Sequence, residues 1–244
     1  MPEVNPTVSY EPNIAKEISK PLIDIQQRLA RHHLRVHVTQ TTVKLEDKQN
    51  TIGPITLSFV DSWQQKHQSW TKNKQPLLRS LNIKRETNVH VADLTAGFGQ
   101  DSLIIASRGI TLTSIEKNPI TAAILKTLVS QFKKNVTSCQ WQVVNACSQE
   151  WLSEQQPNTM THLIMDPFFE KKTNALPKKS MQWLQLLDQH CEASSETDLF
   201  TLAMQQTDCR IIVKRDRKAG PIANAKPNQG CIMQKTTRFD CYKT

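Results

Sequence analysis

The run HLIMDPFFEKK at positions 162–172 holds the residue types that most narrowly limit the chemistry of this chain. An apolar segment delivers Asp166, Pro167, Phe168 and Phe169 to a strand end. An amino group on a planar heterocycle is a weak nucleophile, because its lone pair is delocalised into the ring. The Asp166 carboxylate and the Pro167 carbonyl can both accept hydrogen bonds from such an N–H₂, which favours a more tetrahedral nitrogen. A phenylalanine at 168 or 169 would stack on the base, as single-stranded or flipped-out nucleotides require. No strong general base is needed, so catalysis would rest on proximity and in-line orientation. Asp166, Pro167, Phe168 and Phe169 are the expected catalytic residues.

A group donor must then lie beside them. In VADLTAGFGQDS, positions 91–102, an apolar strand ends in Asp93, a turn of small residues follows, and a helix begins near Asp101. Gly97 and Gly99 permit a tight turn and close approach of a ligand to the backbone. The helix start offers free N–H groups and the positive end of its dipole. The turn is not G-x-G-x-x-G, since Thr95 occupies the first glycine position. It therefore suits a nucleoside ligand without phosphates, such as S-adenosylmethionine, better than a dinucleotide. Glu116, in TSIEKNP, follows Asp93 by 23 residues. An acidic residue at the tip of the second strand is where ribose hydroxyls are bound. NACSQEW, positions 145–151, follows the third expected strand, where Cys147 and Ser148 are candidates for adenine contacts. With those motifs in order, D-P-F-F matches the (D/N)-P-P-(Y/F) pattern of amino-group methyltransferases, with Phe168 replacing the second proline.

Alternating strands and helices must position these groups. Strands are expected at Val89–Asp93, Thr111–Glu116, Trp141–Val144, Thr161–Asp166 and Cys209–Lys214. Helices are expected at Asp101–Arg108, Pro119–Phe132, from Ser148, at Lys179–His190 and at 196–206. A hairpin of Gly230–Gln234 and Arg238–Tyr242 closes the chain as an antiparallel edge. This rhythm predicts an α/β fold with a mostly parallel seven-stranded sheet, Rossmann-like. Before it, prolines at 2, 6, 12 and 21 argue against long regular structure, and Leu34–Leu45 alternates as one or two strands. Residues 61–81 read as helical, with Trp63 and Trp70 on one face. The expected division is a small α+β subdomain over 1–60, carrying a β-hairpin, and a methyltransferase domain over 61–244.

Composition sets broad limits. The chain has 244 residues and a formal net charge of +9, from 31 basic against 22 acidic side chains. That balance favours a polyanionic partner through counterion release. Six dispersed cysteines form no C-x-x-C pair, so no metal site is expected. Apolar runs are too short to cross a bilayer, and no signal-like segment opens the chain, so a cytoplasmic monomer without membrane association is expected.

These motifs together resemble the ribosomal RNA small subunit methyltransferase J family, from about Ser58 to the C-terminus. The resemblance rests on FVDS, DLTAGFGQD, IEKNP, NACS and LIMDPFFEKK followed by ALPKKSMQ. It continues through IIVKR at 211–215, PIANAKPN at 221–228 and TRFDCY near the end. It implies methylation of guanine N2 in 16S ribosomal RNA, on free RNA or the 30S particle, with S-adenosylmethionine as cofactor. By the same resemblance, cofactor contacts fall on Gln100, Asp101, Glu116, Lys117, Cys147, Ser148 and Asp166, joining Asp93, Gly97 and Gly99. Two positions depart from the family pattern: Gln100 stands where arginine is usual, and Glu170 where proline is common. Lys171, Lys172, Lys178 and Lys179, with Lys214 and Arg215, are expected to form an RNA-binding rim along the carboxyl edge of the sheet. The alternatives are an adenine-N6 methyltransferase, a non-catalytic RNA-binding or assembly protein of the same fold, and a nicotinamide dehydrogenase. The last is disfavoured by the glycine turn.

Overall fold

The computed structural model describes residues 7–71, 75–83, 88–135, 139–156, 158–167, 177–189, 191 and 195–244. The N-terminal region forms a four-stranded sheet of β1 (Val8–Tyr10), β2 (Leu34–Val38), β3 (Val43–Asp47) and β4 (Ile55–Leu57), in that spatial order. Alternation places Leu34, Val36, Val38, Val43 and Leu45 on the buried face. β2 and β3 pair as an antiparallel hairpin, and within its turn the Thr39 hydroxyl accepts from the N–H groups of Thr41 and Thr42. Two short helices, α1 (Lys16–Ile23) and α2 (Gln26–Arg31), lie between β1 and β2.

The expected helical stretch over 61–81 is two helices, α3 (Phe59–Thr71) and α4 (Pro76–Leu81). Pro76 opens the second, because its ring clashes with a preceding helical turn but fits a helix start. Asn82 closes it in a left-handed conformation, with φ of 52°.

The C-terminal sheet has seven strands: β5 (His90–Asp93), β6 (Thr111–Glu116), β7 (Trp141–Asn145), β8 (His162–Met165), β9 (Arg210–Asp216), β10 (Cys231–Met233) and β11 (Thr237–Lys243). Their spatial order is β10-β11-β9-β8-β5-β6-β7. β9, β8, β5, β6 and β7 run parallel. The crossover helices are α5 (Gln100–Ala106), α6 (Pro119–Asn135), α7 (Ser148–Ser153), α8 (Lys179–Asp188) and α9 (Glu196–Met204). The Rossmann-like α/β architecture is as the strand–helix rhythm predicts. The closing hairpin forms the expected antiparallel edge, with β11 between β9 and β10 and β10 outermost. Burial explains this, since Phe239, Cys241 and Tyr242 of β11 are core residues whereas Cys231 and Met233 of β10 are exposed.

One apolar cluster runs through both sheets. Phe59 stacks on Trp141 with centroids 5.2 Å apart and meets Phe132 edge-on at 6.5 Å. Polar links reinforce it: the Gln131 side chain on α6 donates to the carbonyls of Thr39 and Thr42 in the β2–β3 turn. The Trp183 indole on α8 donates to the Gly53 carbonyl at 3.1 Å. The N-terminal sheet thus braces two helices of the larger sheet. No helix among the described residues is long and apolar enough to cross a membrane.

Candidate active site

Strand order reverses between β5 and β8. β6 and β7 extend the sheet to one side of this pair, and β9 and β11 to the other. Loops leaving the carboxyl ends of two such strands run apart and open a crevice, the place where ligands bind in open α/β sheets. Here the crevice is a cavity of about 470 Å³. Its floor is the β5 end and the following turn, Asp93 to Phe98, with Asp166 and Pro167 from the β8 end. Glu116 ends β6 and Lys117 follows it, Ser148 and Gln149 come from the start of α7, and Met181, Leu184 and Asp188 from α8.

Asp93 is buried, accepting from the Ser102 hydroxyl at 2.6 Å and the Thr95 amide at 3.2 Å. Burial pushes its carboxyl up to about 6, partly offset by the Ser102 bond. Behind it a buried relay continues: Ser102 and Ser114 hydroxyls lie 2.7 Å apart, and the Trp141 indole donates to Ser114 at 2.9 Å. Glu116 ends β6 with each carboxylate oxygen accepting a backbone N–H at 2.8 Å, one from Gly97 and one from Asn118. Burial outweighs those bonds and pushes it up to about 7. Asn118 caps α6 through the amides of Ile120 and Thr121, and its side-chain N–H₂ reaches the Leu187 carbonyl on α8. That link holds α8 over the cavity.

The β8 end is fixed from two directions. Thr95 takes the Asp166 amide on its hydroxyl at 2.6 Å, which accounts for a threonine where a dinucleotide site has glycine. Lys214, at the end of β9, donates to Asp101 Oδ2 at 2.8 Å and to Asp166 Oδ2 at 2.7 Å. Burial works against the ammonium, but the two carboxylates prevail and hold it above the usual lysine range.

Of the expected cofactor residues, Asp93, Gly97, Gln100, Asp101, Glu116, Lys117, Ser148 and Asp166 line the cavity. Gly99 and Cys147 do not. Gly99 starts α5 at φ +72° with its missing Cβ facing Leu125, Phe59 and Trp141, so it serves packing rather than ligand approach. Cys147 precedes α7, its thiol directed at the Gln149 side chain. Of the expected catalytic residues, Asp166 and Pro167 line the cavity, whereas Phe168 and Phe169 lie outside the described residues, as do Lys171 and Lys172. The lysine rim needs correction at Lys214, whose ammonium points inward to two carboxylates. Lys178 and Lys179 are exposed at the head of α8. Arg215 donates to the Gly220 carbonyl. Gln149, within the NACSQEW run but not singled out there, also lines the cavity, as do Asp188 and Glu196, which carry no sequence motif.

The charge of this lining tests which ligand fits. Among the described residues it presents six carboxylates (Asp93, Asp101, Glu116, Asp166, Asp188, Glu196) against three lysines (Lys117, Lys178, Lys214). A pyrophosphate would meet repulsion there, whereas the cationic sulfonium and ammonium of S-adenosylmethionine are favoured. The volume also falls within the range of roughly 300–1,000 Å³ for small-molecule sites. Glu116 at the second strand tip is the acceptor a ribose diol needs. The residues present fit that cofactor.

Fold and site together define an S-adenosylmethionine-dependent methyltransferase of the Rossmann-like class. A family model for "Putative SAM-dependent methyltransferase" matches residues 22–244. A protein of Chromobacterium violaceum named Ribosomal RNA small subunit methyltransferase J is 32% identical over 69% of this chain and 67% of its own length. One of the same name from Thioalkalivibrio sulfidiphilus is 31% identical over 79% of this chain and 77% of its own. The crystal structure of a SAM-dependent methyltransferase from Neisseria gonorrhoeae shares the fold, with a TM-score of 0.67 over 97% of this chain and 95% of that one, at 19% identity. The chain belongs to the ribosomal RNA small subunit methyltransferase J family.

Proposed function

We propose that the protein transfers a methyl group from S-adenosylmethionine to the exocyclic N2 of a guanosine in 16S ribosomal RNA of the small subunit. The observation that carries this reading is the position of Asp166 and Pro167, at the end of β8 and on the floor of the carboxylate-lined cavity. The name shared by the relatives supports a ribosomal RNA substrate, and the D-P-F-F run supports a planar amino nitrogen as acceptor.

When bound, S-adenosylmethionine supplies an electrophilic methyl carbon on a cationic sulfur. Glu116 would hold the ribose hydroxyls, and Ser148 and Gln149 would contact the adenine. Asp101 and Gln100, at the start of α5, would serve the amino-acid end. Asp166 and the Pro167 carbonyl accept the two N–H bonds of the guanine amino group and direct its lone pair at the methyl. The Asp166 carboxylate would take the proton that the amino nitrogen gives up on methylation, or pass it to water. The D-P-F-F run assigns stacking on the base to Phe168 and Phe169, which lie outside the described residues. Lys178 and Lys179, exposed at the head of α8, engage phosphates and set register rather than sequence, a role the sequence extends to Lys171 and Lys172.

The test is label transfer from methyl-labelled S-adenosylmethionine to small ribosomal subunits from a strain lacking the gene, followed by nucleoside analysis. N2-methylguanosine is expected. Label in N6-methyladenosine overturns the base assignment, and no label in RNA overturns the transferase reading. Asp166→Ala should keep cofactor affinity within a few-fold and lose about a hundredfold or more in turnover.

A further inference from the structure

Lys214 was grouped by charge with an RNA-facing rim, yet its ammonium lies inside the cavity, within 2.8 Å of one carboxylate and 2.7 Å of another. These carboxylates come from separate elements. Asp101 stands in the first turn of α5 and Asp166 just beyond β8, while Lys214 is in β9, the strand paired with β8. The three side chains are partly shielded, with exposures of 21% for Asp101, 34% for Asp166 and 25% for Lys214.

We propose that Lys214 is a positioning residue for the methyl transfer: by bridging Asp101 and Asp166 it fixes the orientation of the Asp166 carboxylate and places a cation between it and the neighbouring Asp101 charge. This inference rests on the reading of Asp166 as the acceptor of the substrate's amino hydrogens.

Two carboxylates crowded into one shielded site cannot both stay charged unless a cation lies between them. A neutral Asp166 would lose the charge that makes it a strong acceptor for the substrate N–H₂. A rotating one would misdirect the nitrogen lone pair, and in-line transfer tolerates little misplacement. A lysine meets both needs at once, since its ammonium has three donors and can hold two oxygens. The bridged group carries one positive and two negative charges, so it keeps a net negative charge toward the cationic cofactor. Other charged groups face the same cavity: Asp93 from β5, Glu116 from β6 and Lys117 just after it, Lys178 and Asp188 from the two ends of α8, and Glu196 from α9, the last beside Arg215 of β9. Asp93 and Glu196 both feel the Asp166 charge, so removing the ammonium leaves a cluster of like charges with no cation between Asp101 and Asp166.

The experiment compares wild type, Lys214→Met and Lys214→Arg for steady-state methyl transfer across pH, together with RNA binding across salt concentration. In Lys214→Met, kcat should fall about ten- to a hundredfold, as expected for loss of a charged hydrogen bond. Its acid limb should move to higher pH by about one unit or more, because Asp101 and Asp166 then share a proton. KM for RNA and the salt dependence of RNA binding should stay at wild-type values. Lys214→Arg should restore the acid limb and part of kcat, since it keeps the charge but not the compact geometry. A raised KM for RNA with a salt slope reduced by about one, and an unmoved limb, would make Lys214 a phosphate contact and overturn the proposal. Wild-type kcat and limb in Lys214→Met would overturn it too. If Lys214→Met does not fold, Lys214→Arg decides: a limb displaced despite the retained charge overturns the proposal. If wild type transfers no methyl to any RNA, the functional reading fails separately. Carbon-13 titration of the Asp166 carboxyl in wild type, Lys214→Arg and Lys214→Met then tests the bridge, which fails if loss of the ammonium leaves its midpoint unmoved.

Discussion

The Thr95 hydroxyl accepts the backbone N–H of Asp166 at 2.6 Å, joining the turn after β5 to the residue that follows β8. The two strands are neighbours in the sheet, and this bond crosses the point where their outgoing loops diverge. Thr95→Val keeps the shape and removes the acceptor. Turnover should fall by about tenfold, the equivalent of one hydrogen bond of 1 to 2 kcal/mol, with a smaller change in KM for the cofactor. Steady-state kinetics that left kcat unaltered would remove Thr95 from the positioning of Asp166.

Glu116 gives a pH dependence with a definite sign. Burial lifts its folded value from 4.5 to about 7, and that of Asp93 from 3.8 to about 6. Between each pair of values the folded chain holds a proton that the unfolded chain has lost. Their contribution to stability is therefore full below the unfolded values and is lost as pH rises to about 7, by roughly 3 kcal/mol for Glu116. Binding of ribose hydroxyls favours the charged carboxylate, so cofactor affinity should rise with pH and level off above about 7. Calorimetry in two buffers of different ionisation enthalpy should show proton release on binding below that pH. Proton-neutral binding at pH 6 would exclude Glu116 as the ribose acceptor.

The two glycines of the β5–α5 turn should separate in their effects. A Cβ on Gly99 would lie 2.4 Å from the Leu125 methyl and 3.0 Å from the Phe59 ring, at a φ of +72°. Gly99→Ala should destabilise by at least about 2 kcal/mol and lower Tm by roughly 4–8 °C. Gly97 also has a positive φ, +52°, so alanine costs some stability there too, but its nearest contact is 3.2 Å, to the Leu184 side chain that lines the cavity. Gly97→Ala should lose more in cofactor affinity than in melting temperature. Equal melting losses from both would contradict this division.

The buried relay from Trp141 through Ser114 and Ser102 to Asp93 has no water-exposed member. Ser114→Ala strands the indole N–H and removes a partner of Ser102. A loss of about 1–3 kcal/mol is expected in denaturant unfolding followed by tryptophan fluorescence. A neutral result would mean that the two groups find other partners.

The site was legible in the sequence to the extent that its residues sit at strand ends. Asp93, Glu116 and Asp166 each terminate an apolar segment followed by a turn, and local pattern suffices to put such residues at one edge of a parallel sheet. Helix α8 was legible as a helix over Lys179–His190, but not as the roof of the cavity. Its placement depends on Trp183 reaching Gly53 and on Asn118 reaching Leu187, both long-range contacts. Asp188 and Glu196 carry no signal in the sequence, since a lone acidic residue on a helix has no periodic signature.

Charge was the least reliable guide. Lys214 and Arg215 are adjacent in sequence, and composition alone groups them as one basic edge. A strand sends successive side chains to opposite faces, so neighbours in a strand meet different surroundings. Lys214 reaches the Asp101 and Asp166 carboxylates, while Arg215 reaches the Gly220 carbonyl. The order of strands and helices, the strand-end carboxylates and the D-P motif follow from the chain's local pattern, because hydrophobic period and turn chemistry act over a few residues. Which lysine bridges two carboxylates was decided only when β9 came to lie beside β8 and the first turn of α5 came within reach of Lys214, and Gly99 became a packing glycine when α3, α6 and β7 closed on it. The bridge joins residues 48 and 113 positions apart, a separation over which local sequence carries no geometric information.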